Sequence, residues 1–181
     1  MKLNELYEGT ERTYKNAFKT TWQIGNNIDC TKQFLVGLDG APDVVNGNFD
    51  CDKNSLSSLE GGPSRVTGDF SCNDNDIGTL EFCPKYIGGD FFAMRCGLTD
   101  LHNIHKKIDY IFDTFVASRN PIKSHVLGLL KIKGLQAVRL ENSKVSAILN
   151  AHLLGLPADK RDILKCQQVL IDNGFEEYAK L

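Results

Sequence analysis

The sequence has few of the features that mark membrane, secreted or nucleic-acid-binding proteins. No uninterrupted apolar run approaches the roughly 18 residues of a membrane-spanning helix, and residues 1–20 lack the apolar core of a signal peptide. Neither charge sign is in excess, because 21 basic and 23 acidic residues leave a net charge of −2. Such a balance gives no general attraction to nucleic acid or to an acidic membrane surface. We therefore expect an intracellular protein with no nucleic-acid or membrane partner.

Catalytic and metal-binding signatures are also missing. The sequence contains no C-x-x-C pair, no H-E-x-x-H motif, no G-x-S-x-G elbow and no glycine-rich phosphate loop. Cys96 and Cys166 have no neighbouring base in the sequence that would activate a thiol. We expect a protein that is not an enzyme and that uses no cofactor or metal. The remote alternative is an enzyme built from cysteine and histidine side chains of the C-terminal region. Its histidines would be His102, His105, His125 and His152.

A repeated pattern fills the middle of the chain. Its skeleton is V-x-G-x-F-x-C-x-x-N-x-L-x-x-L-x-x-x-P, and clear copies begin at Val45, Val66 and Ile87, each 21 residues after the last. The same spacing leads on to Ile108, and a weaker copy begins upstream at Ile24. A fixed period of this length is typical of solenoids, in which each unit buries its apolar face against its neighbours.

The residues within each unit predict one short strand followed by a bend. Phe49 and Cys51 alternate as in a β-strand, where side chains two residues apart share a face. Asn54 and Asn75 follow three residues after a cysteine, where an amide can bond backbone groups inside a bend. Equivalent cysteines recur every 21 residues, so we expect a ladder of buried free thiols rather than disulfides. These cysteines are Cys30, Cys51 and Cys72.

The chain divides into three predicted regions, which together form an α/β repeat protein. They are an N-terminal capping segment (1–23), a solenoid of about five units with one strand per unit (24–122), and a helical C-terminal cap (123–181). In the last unit, the spacing places Phe112 in the inward phenylalanine column. In the cap, Ser143 begins an amphipathic helix, and Pro157 stands near the start of another that ends at Gly174.

The repeat resembles two known patterns. F-x-C-x-x-N-x-L-x-x-L resembles a short leucine-rich repeat, whose usual core is L-x-x-L-x-L-x-x-N-x-L. The longer string GNFDCDKNSLSSLEGGP (47–63) resembles repeats in proteins of tailed bacteriophages, and the likeness extends over about residues 24–181. The fourth unit departs from it, because Cys96 replaces the asparagine. The resemblance implies a leucine-rich-repeat-like phage protein in the host cytoplasm or in the virion. Leu-Tyr-Glu-Gly (6–9) also resembles the sites that phage prohead proteases cleave.

An outward-facing surface is the candidate site. Residues that flank the inward Phe and Cys form three predicted columns: Asn27, Asn48, Asp69 and Asp90; then Asp29, Asp50, Ser71, Phe92 and Asp113; then Thr31, Asp52, Asn73, Met94 and Phe115. Aromatic and methionine anchors with a polar rim are typical of protein interfaces. The predicted partner-binding residues are Asp50, Asp52, Asp69, Asp90, Phe92, Met94, Asp113 and Phe115.

The expected function is therefore a non-enzymatic protein–protein interaction module, encoded by a phage, that binds and inhibits a host protein. The alternative is a virion or assembly protein in which the same surface is a structural joint. Two further interpretations of the columns stay open. The acidic residues can simply keep the sheet soluble while the C-terminal helices cover the apolar ones, or stacked aspartates can bind calcium.

Overall fold

The computed structural model describes residues 23–24 and 26–181. The predicted N-terminal capping segment, apart from the backbone of Gln23, lies outside the described residues, as does the Leu-Tyr-Glu-Gly sequence. In the described part, short parallel strands stack into a β-solenoid of roughly five turns, and helices follow it. The prediction of a solenoid with a helical C-terminal region is confirmed.

Each full turn contributes two short strands, one to each of two separate sheets. The first sheet contains, in spatial order, β1 (Gln23–Ile24), β2 (Asn27–Asp29), β4 (Phe49–Asp50), β6 (Phe70–Ser71), β8 (Phe91–Phe92), β10 (Thr114–Ala117) and β11 (Ala137–Leu140). The second sheet contains β3 (Val44–Val45), β5 (Arg65–Val66), β7 (Tyr86–Ile87) and β9 (Tyr110–Ile111). All neighbours pair in parallel except β1 and β2, which are antiparallel. The prediction of one strand per unit is wrong, because the valine that opens each unit also lies in a strand.

The core is built from the residues that recur in the repeat. Four inward-facing phenylalanines of the first sheet are fully buried and contact one another in a row, with ring centroids 5.3 to 5.8 Å apart: Phe49, Phe70, Phe91 and Phe115. The six cysteines are all free and buried, as predicted for the ladder. The Cys30 thiol donates to the Asp50 carbonyl oxygen of the next turn at 3.1 Å, and Cys51 donates to that of Ser71 at 3.3 Å. The thiols therefore serve as small apolar side chains with a weak donor.

The fourth turn is three residues longer than the repeat predicts. The short helix α1 (Ile104–Lys107) lies in this turn. As a result, Ile111 pairs with Ile87 across the second sheet, 24 residues apart, and the predicted partner Ile108 lies elsewhere in the core. The register of everything after α1 is shifted relative to the 21-residue prediction.

This shift reverses the predicted orientation of two phenylalanines. Phe115 pairs with Phe91 and is fully buried, whereas Phe112 has 58% of its surface exposed. The predictions that Phe112 lies in the core and that Phe115 points outward are therefore wrong. A slip of an odd number of residues moves a strand residue to the opposite face, because side chains alternate with period two.

The C-terminal region continues the first sheet and then covers its end. A 3₁₀ segment (Val126–Lys131) leads to β11, which pairs in parallel with β10. The helices α2 (Ser143–Leu153) and α3 (Ile163–Asp172) follow, as the amphipathic patterns predicted, with a 3₁₀ turn (Ala158–Lys160) between them. Among the described residues, no helix is both long enough and apolar enough to cross a membrane.

Side chains of α2 form hydrogen bonds with backbone groups at the free edge of β11. The Asn150 amide accepts a hydrogen bond from the Val138 backbone N–H at 2.7 Å and donates to the Val138 carbonyl oxygen at 3.0 Å. The Ser146 hydroxyl accepts from the Leu140 N–H at 2.9 Å. These two side chains replace the neighbouring strand that an edge would otherwise recruit.

The buried Arg161 closes the other side of the last turn. Its guanidinium donates to the carbonyl oxygens of Leu130, Ile132, Leu135 and Leu156, at 3.1, 2.7, 2.7 and 3.0 Å respectively. Burial lowers the pKa of Arg161 from its ordinary value, but four carbonyl dipoles surround the cation. The C-terminal end of the solenoid is thus sealed by polar groups that would otherwise lack partners.

Candidate functional site

Three columns of side chains lie on the outer face of the first sheet. They are Asn27, Asn48, Asp69, Asp90 and Thr114; Asp29, Asp50, Ser71, Phe92 and Val116; and Thr31, Asp52, Asn73, Met94 and Ser118. We name these residues the first-sheet face. Six of the eight residues predicted to bind a partner lie on it: Asp50, Asp52, Asp69, Asp90, Phe92 and Met94.

The other two predicted residues lie elsewhere. Phe115 belongs to the core, as described above. Asp113 is exposed in the bend before β10, and Val116 pairs with Phe92 in the place that had been predicted for Asp113. Both errors come from the three extra residues of the fourth turn.

The first column forms a ladder of hydrogen bonds between turns. In each step, a side-chain oxygen accepts from the backbone N–H of the equivalent residue in the next turn. Asn27 Oδ1 accepts from Asn48 at 2.8 Å, and Asn48 Oδ1 accepts from Asp69 at 2.9 Å. Asp69 Oδ1 then accepts from the Asp90 N–H, and Asp90 Oδ1 accepts from the Thr114 N–H, both at 2.8 Å. One oxygen of each side chain is therefore used to stack the turns.

This ladder explains why a glycine precedes Asn48, Asp69 and Asp90 in the three clear copies of the repeat. A Cβ built on Gly68 would collide with Asn48 Oδ1 of the preceding turn, and one on Gly89 would collide with Asp69 Oδ1. The side chain of one turn occupies the space that the next turn leaves empty. The recurring dipeptide of Gly followed by Asn or Asp is thus the sequence signal for the ladder, and sequence reasoning missed it.

The third column also bonds from turn to turn, but its ladder ends in the middle of the face. Asp52 accepts from the Asn73 backbone N–H and the Ser71 hydroxyl, both at 2.6 Å, and Asn73 Oδ1 accepts from the Met94 N–H at 2.7 Å. The thioether of Met94 is at best a weak acceptor. At the fourth turn, the second and third columns therefore change from polar residues to Phe92 and Met94.

A depression of about 360 Å³ lies on the first-sheet face, where the polar side chains meet the apolar Phe92 and Met94. Its lining consists of Asn48, Phe49, Asp50, Asp69, Ser71, Asn73, Phe92 and Met94. Phe92 and Met94 are half-buried and form its apolar end, while carboxylate, amide and hydroxyl groups form its polar end. Binding sites typically combine an apolar wall with a few polar groups that orient the ligand.

The carboxylates of this face carry charge that the described part of the protein does not neutralise. Burial raises the pKa of Asp50, and the nearby carboxylates of Asp52 and Asp29 raise it further, against a hydrogen bond from the Asp52 N–H. Among the described residues, no lysine or arginine forms an ion pair with Asp50, Asp69 or Asp90. The face is therefore negative at its polar end.

The second sheet presents a different outer face. The guanidinium of Arg65 lies 3.6 Å from the ring centre of Tyr86, and Tyr86 stacks on Tyr110 with centroids 4.8 Å apart. The rings of Tyr86 and Tyr110 cover one another, and the Arg65 guanidinium also covers the Tyr86 ring. The aromatic rings of the second sheet are therefore partly covered by their neighbours.

The cysteines and histidines form no reactive constellation in the described residues. Burial raises the pKa of Cys83 to about 12 and that of Cys166 to about 11, so both thiols stay protonated. A hydrogen bond from the Cys72 thiol lowers the pKa of Cys96, but Cys96 is fully buried and no substrate reaches it.

The histidines and the aspartate columns form no metal centre in the described residues. The rings of His102 and His125 are in edge contact, with centroids 4.8 Å apart, and Nδ1 of His105 is buried without a hydrogen-bond partner. Burial lowers the pKa of His105. In the part of the chain that the structure describes, no three histidine, cysteine or acidic side chains converge to hold a metal ion. This includes the aspartates considered for calcium.

Comparison with known proteins found no match: no family model, no curated protein and no solved structure matches this chain. The likeness to leucine-rich repeats and to phage proteins therefore rests on the residues of this sequence alone. Fold does not determine function in any case, because one architecture supports many activities. The function has to be inferred from the first-sheet face.

Proposed function

We propose that this protein is a non-enzymatic protein–protein interaction module that binds its partner through the first-sheet face. The observation that carries the proposal is the depression in which Phe92 and Met94 adjoin carboxylates that no lysine or arginine of the described residues neutralises. An apolar anchor site within a polar rim is the usual arrangement of a protein interface. The two hydrogen-bond ladders hold the backbone of this face in place, so little ordering entropy is lost on binding.

The finer part of the proposal concerns the source and the role of the protein. We propose a leucine-rich-repeat-like protein of a tailed phage, which acts in the host cytoplasm by binding and inhibiting a host protein during infection. The support is the repeat string at 47–63 and the suitability of solenoid surfaces for partner recognition. An inhibitor needs a rigid surface and no chemistry of its own.

The test is affinity capture of the tagged protein from infected and uninfected bacterial cells, followed by mass spectrometry. We expect one stoichiometric host protein with the wild type and loss of that protein with Phe92→Asp, which puts a charge into the apolar end of the depression. Phe112→Asp is the matched control, because Phe112 is an exposed phenylalanine away from the first-sheet face. Circular dichroism shows whether both variants fold.

The outcomes of the capture experiment are distinct. Capture that survives both substitutions would place the interface elsewhere on the protein. Loss of capture with both folded variants would mean that any new surface charge disrupts binding. Either result contradicts the proposed role of the first-sheet face.

The second candidate function is a structural joint in the virion or in its assembly. It is favoured by apolar side chains on the outside of the C-terminal region, where Leu154 and Leu164 are 78% and 77% exposed. Exposed apolar side chains mark contact sites where they form a contiguous patch. Under this function, the protein has a fixed copy number in purified particles and captures phage structural proteins instead of a host protein.

A further inference from the structure

We infer that the depression on the first-sheet face receives an arginine side chain of the partner protein. This inference rests on the proposed function and specifies the chemistry of its partner. The guanidinium group is planar, stacks on aromatic rings and pairs with carboxylates through two parallel hydrogen bonds. The depression offers both contacts, with the Phe92 ring and Met94 at one end and Asp50 and Asp69 at the other.

The charges on the ladder are not needed for the stacking of the turns. Asn27 and Asn48 make the same bond to the next turn as Asp69 and Asp90 make, with distances that agree within 0.1 Å. An amide oxygen is therefore sufficient for the structural role. The protein nevertheless carries a carboxylate in the turn of Phe92 and Met94, at Asp90, and another in the turn before it, at Asp69, which lines the depression. No lysine or arginine of the described residues pairs with either carboxylate.

The charge distribution along the chain favours a basic partner. Residues 26–100, which form most of the solenoid, include 12 acidic and five basic residues, whereas residues 101–181 include eight acidic and 12 basic residues. The small net charge of the whole chain thus conceals a strongly negative region around the face. Such a field attracts positively charged groups and speeds their association.

The occupant has to satisfy both ends of the depression at once. An apolar side chain would desolvate the charge of Asp50 without supplying a counter-ion, which is costly. Lysine would neutralise the carboxylate, but its ammonium is a compact, strongly hydrated charge without a plane to stack on Phe92. The carbon chain of arginine packs on the Met94 side while its charged end reaches the carboxylates.

The experiment uses the single methionine of this face as a reporter. The chain contains two methionines, Met1 and Met94, so selective ¹³C-methyl labelling of methionine gives a simple spectrum in which the Met94→Leu variant identifies the signal. The probe is Nα-acetyl-arginine methylamide, titrated into the full-length protein. Nα-acetyl-citrulline methylamide is the control, because it has nearly the same shape without the charge. Nα-acetyl-lysine methylamide tests the guanidinium itself.

We expect the Met94 methyl signal to shift with arginine and to saturate in the millimolar range, as for a single side-chain contact. The citrulline probe is expected to bind the wild type at least about tenfold more weakly than the arginine probe does, since a charged hydrogen bond has been removed. The arginine probe is expected to bind the Asp50→Asn variant at least about tenfold more weakly than the wild type, for the same reason. Asparagine at position 50 keeps the acceptor for the Asp52 N–H. Asp43→Asn removes the same charge from an exposed residue away from the face and is expected to leave binding unchanged.

The inference is overturned if arginine leaves the Met94 signal in place, if citrulline shifts it equally, or if lysine binds more tightly than arginine. It is also overturned if Asp43→Asn weakens binding as much as Asp50→Asn. These outcomes differ from a failure of the proposed function. Capture of a partner that depends on Phe92, without binding of arginine, would leave the face as an interface and remove only this occupant.

Discussion

An asparagine inside the bend of most turns joins three backbone segments at once. Asn75 donates to the carbonyl oxygens of Cys51 and Cys72, both at 3.0 Å, and accepts from the Leu56 N–H at 3.1 Å. Asn54 and Asn120 make the corresponding bonds in their turns. At these positions the side chain satisfies backbone groups that a buried bend would leave unpaired.

The fourth turn has Cys96 at this position, where the thiol makes a longer and weaker contact of 3.2 Å to the Cys72 carbonyl oxygen. We predict that Cys96→Asn raises the free energy of unfolding by about 1 kcal/mol, because an amide restores hydrogen bonds that sulfur makes poorly. Urea denaturation measures the change. Cys83→Asn is the control, since Cys83 is buried outside this column, and it is expected to destabilise the protein. Equal destabilisation by both substitutions would contradict the role assigned to the asparagine.

The charge of Asp50 is expected to cost stability. Its pKa in the folded protein is raised above the ordinary value of 3.8, chiefly by burial, so the folded state holds this proton more tightly than the unfolded state. The contribution of Asp50 to the free energy of unfolding therefore falls as the pH rises from 3.8 through the folded pKa. We predict that Asp50→Asn is more stable than the wild type at pH 7 and that this gain disappears below about pH 3.8. Urea denaturation at a series of pH values gives the comparison, and a lower stability of the variant at pH 7 would contradict it.

At the level of elements, the solenoid depends on how its last strand is finished. Parallel strands stacked in a row leave an unpaired edge, and such an edge recruits other chains unless it is covered. In this protein, α2 covers β11 with the side chains of Asn150 and Ser146, which bond the Val138 and Leu140 backbone groups. The helix thus acts as a cap through two specific residues as well as through its apolar packing.

We predict that Asn150→Ala lowers the free energy of unfolding by about 2 kcal/mol, because the Val138 N–H and carbonyl groups lose their partner near the core. Lys144→Ala, on the exposed side of the same helix, is expected to change stability by less than about 0.5 kcal/mol. Thermal or urea unfolding measures both. A loss of similar size for the two variants would show that helix propensity, and not the edge bonds, is what matters.

The 21-residue period predicted part of the fold and failed in two places. It identified the strands around Phe49 and Phe70, the cysteine ladder and the outward columns as far as Met94, because identical spacing forces identical register. It could not reveal the three extra residues around α1, since an insertion in a loop leaves the local pattern intact. It also missed the second sheet, because one strand was predicted per unit, at Phe49 and its equivalents, and none at Val45.

For the whole molecule, as far as residues 23–24 and 26–181 describe it, the consequence is a closed core beneath an open first-sheet face. The core and the C-terminal end are closed by packing and hydrogen bonds, and the stacked rings of the second sheet satisfy one another. The first-sheet face keeps a depression with apolar and acidic ends in the part of the sheet where the ladders hold the backbone. The depression could not be predicted from sequence, because it depends on how far Phe92 and Met94 stand out from neighbouring turns.

The most direct test of this account is a photo-crosslink from position 94 to the partner, with the purified labelled protein added to a lysate of unlabelled bacterial cells. Replacing methionine with photo-methionine during expression of this protein labels Met1 and Met94, and the Met94→Leu variant shows which crosslinks come from position 1. We predict that irradiation joins Met94 to a single partner protein, with the attachment next to an arginine of that partner, and that the product is absent in Met94→Leu. A partner that is captured in full amount but never crosslinks through Met94 would contradict the central claim that the first-sheet face is the binding site.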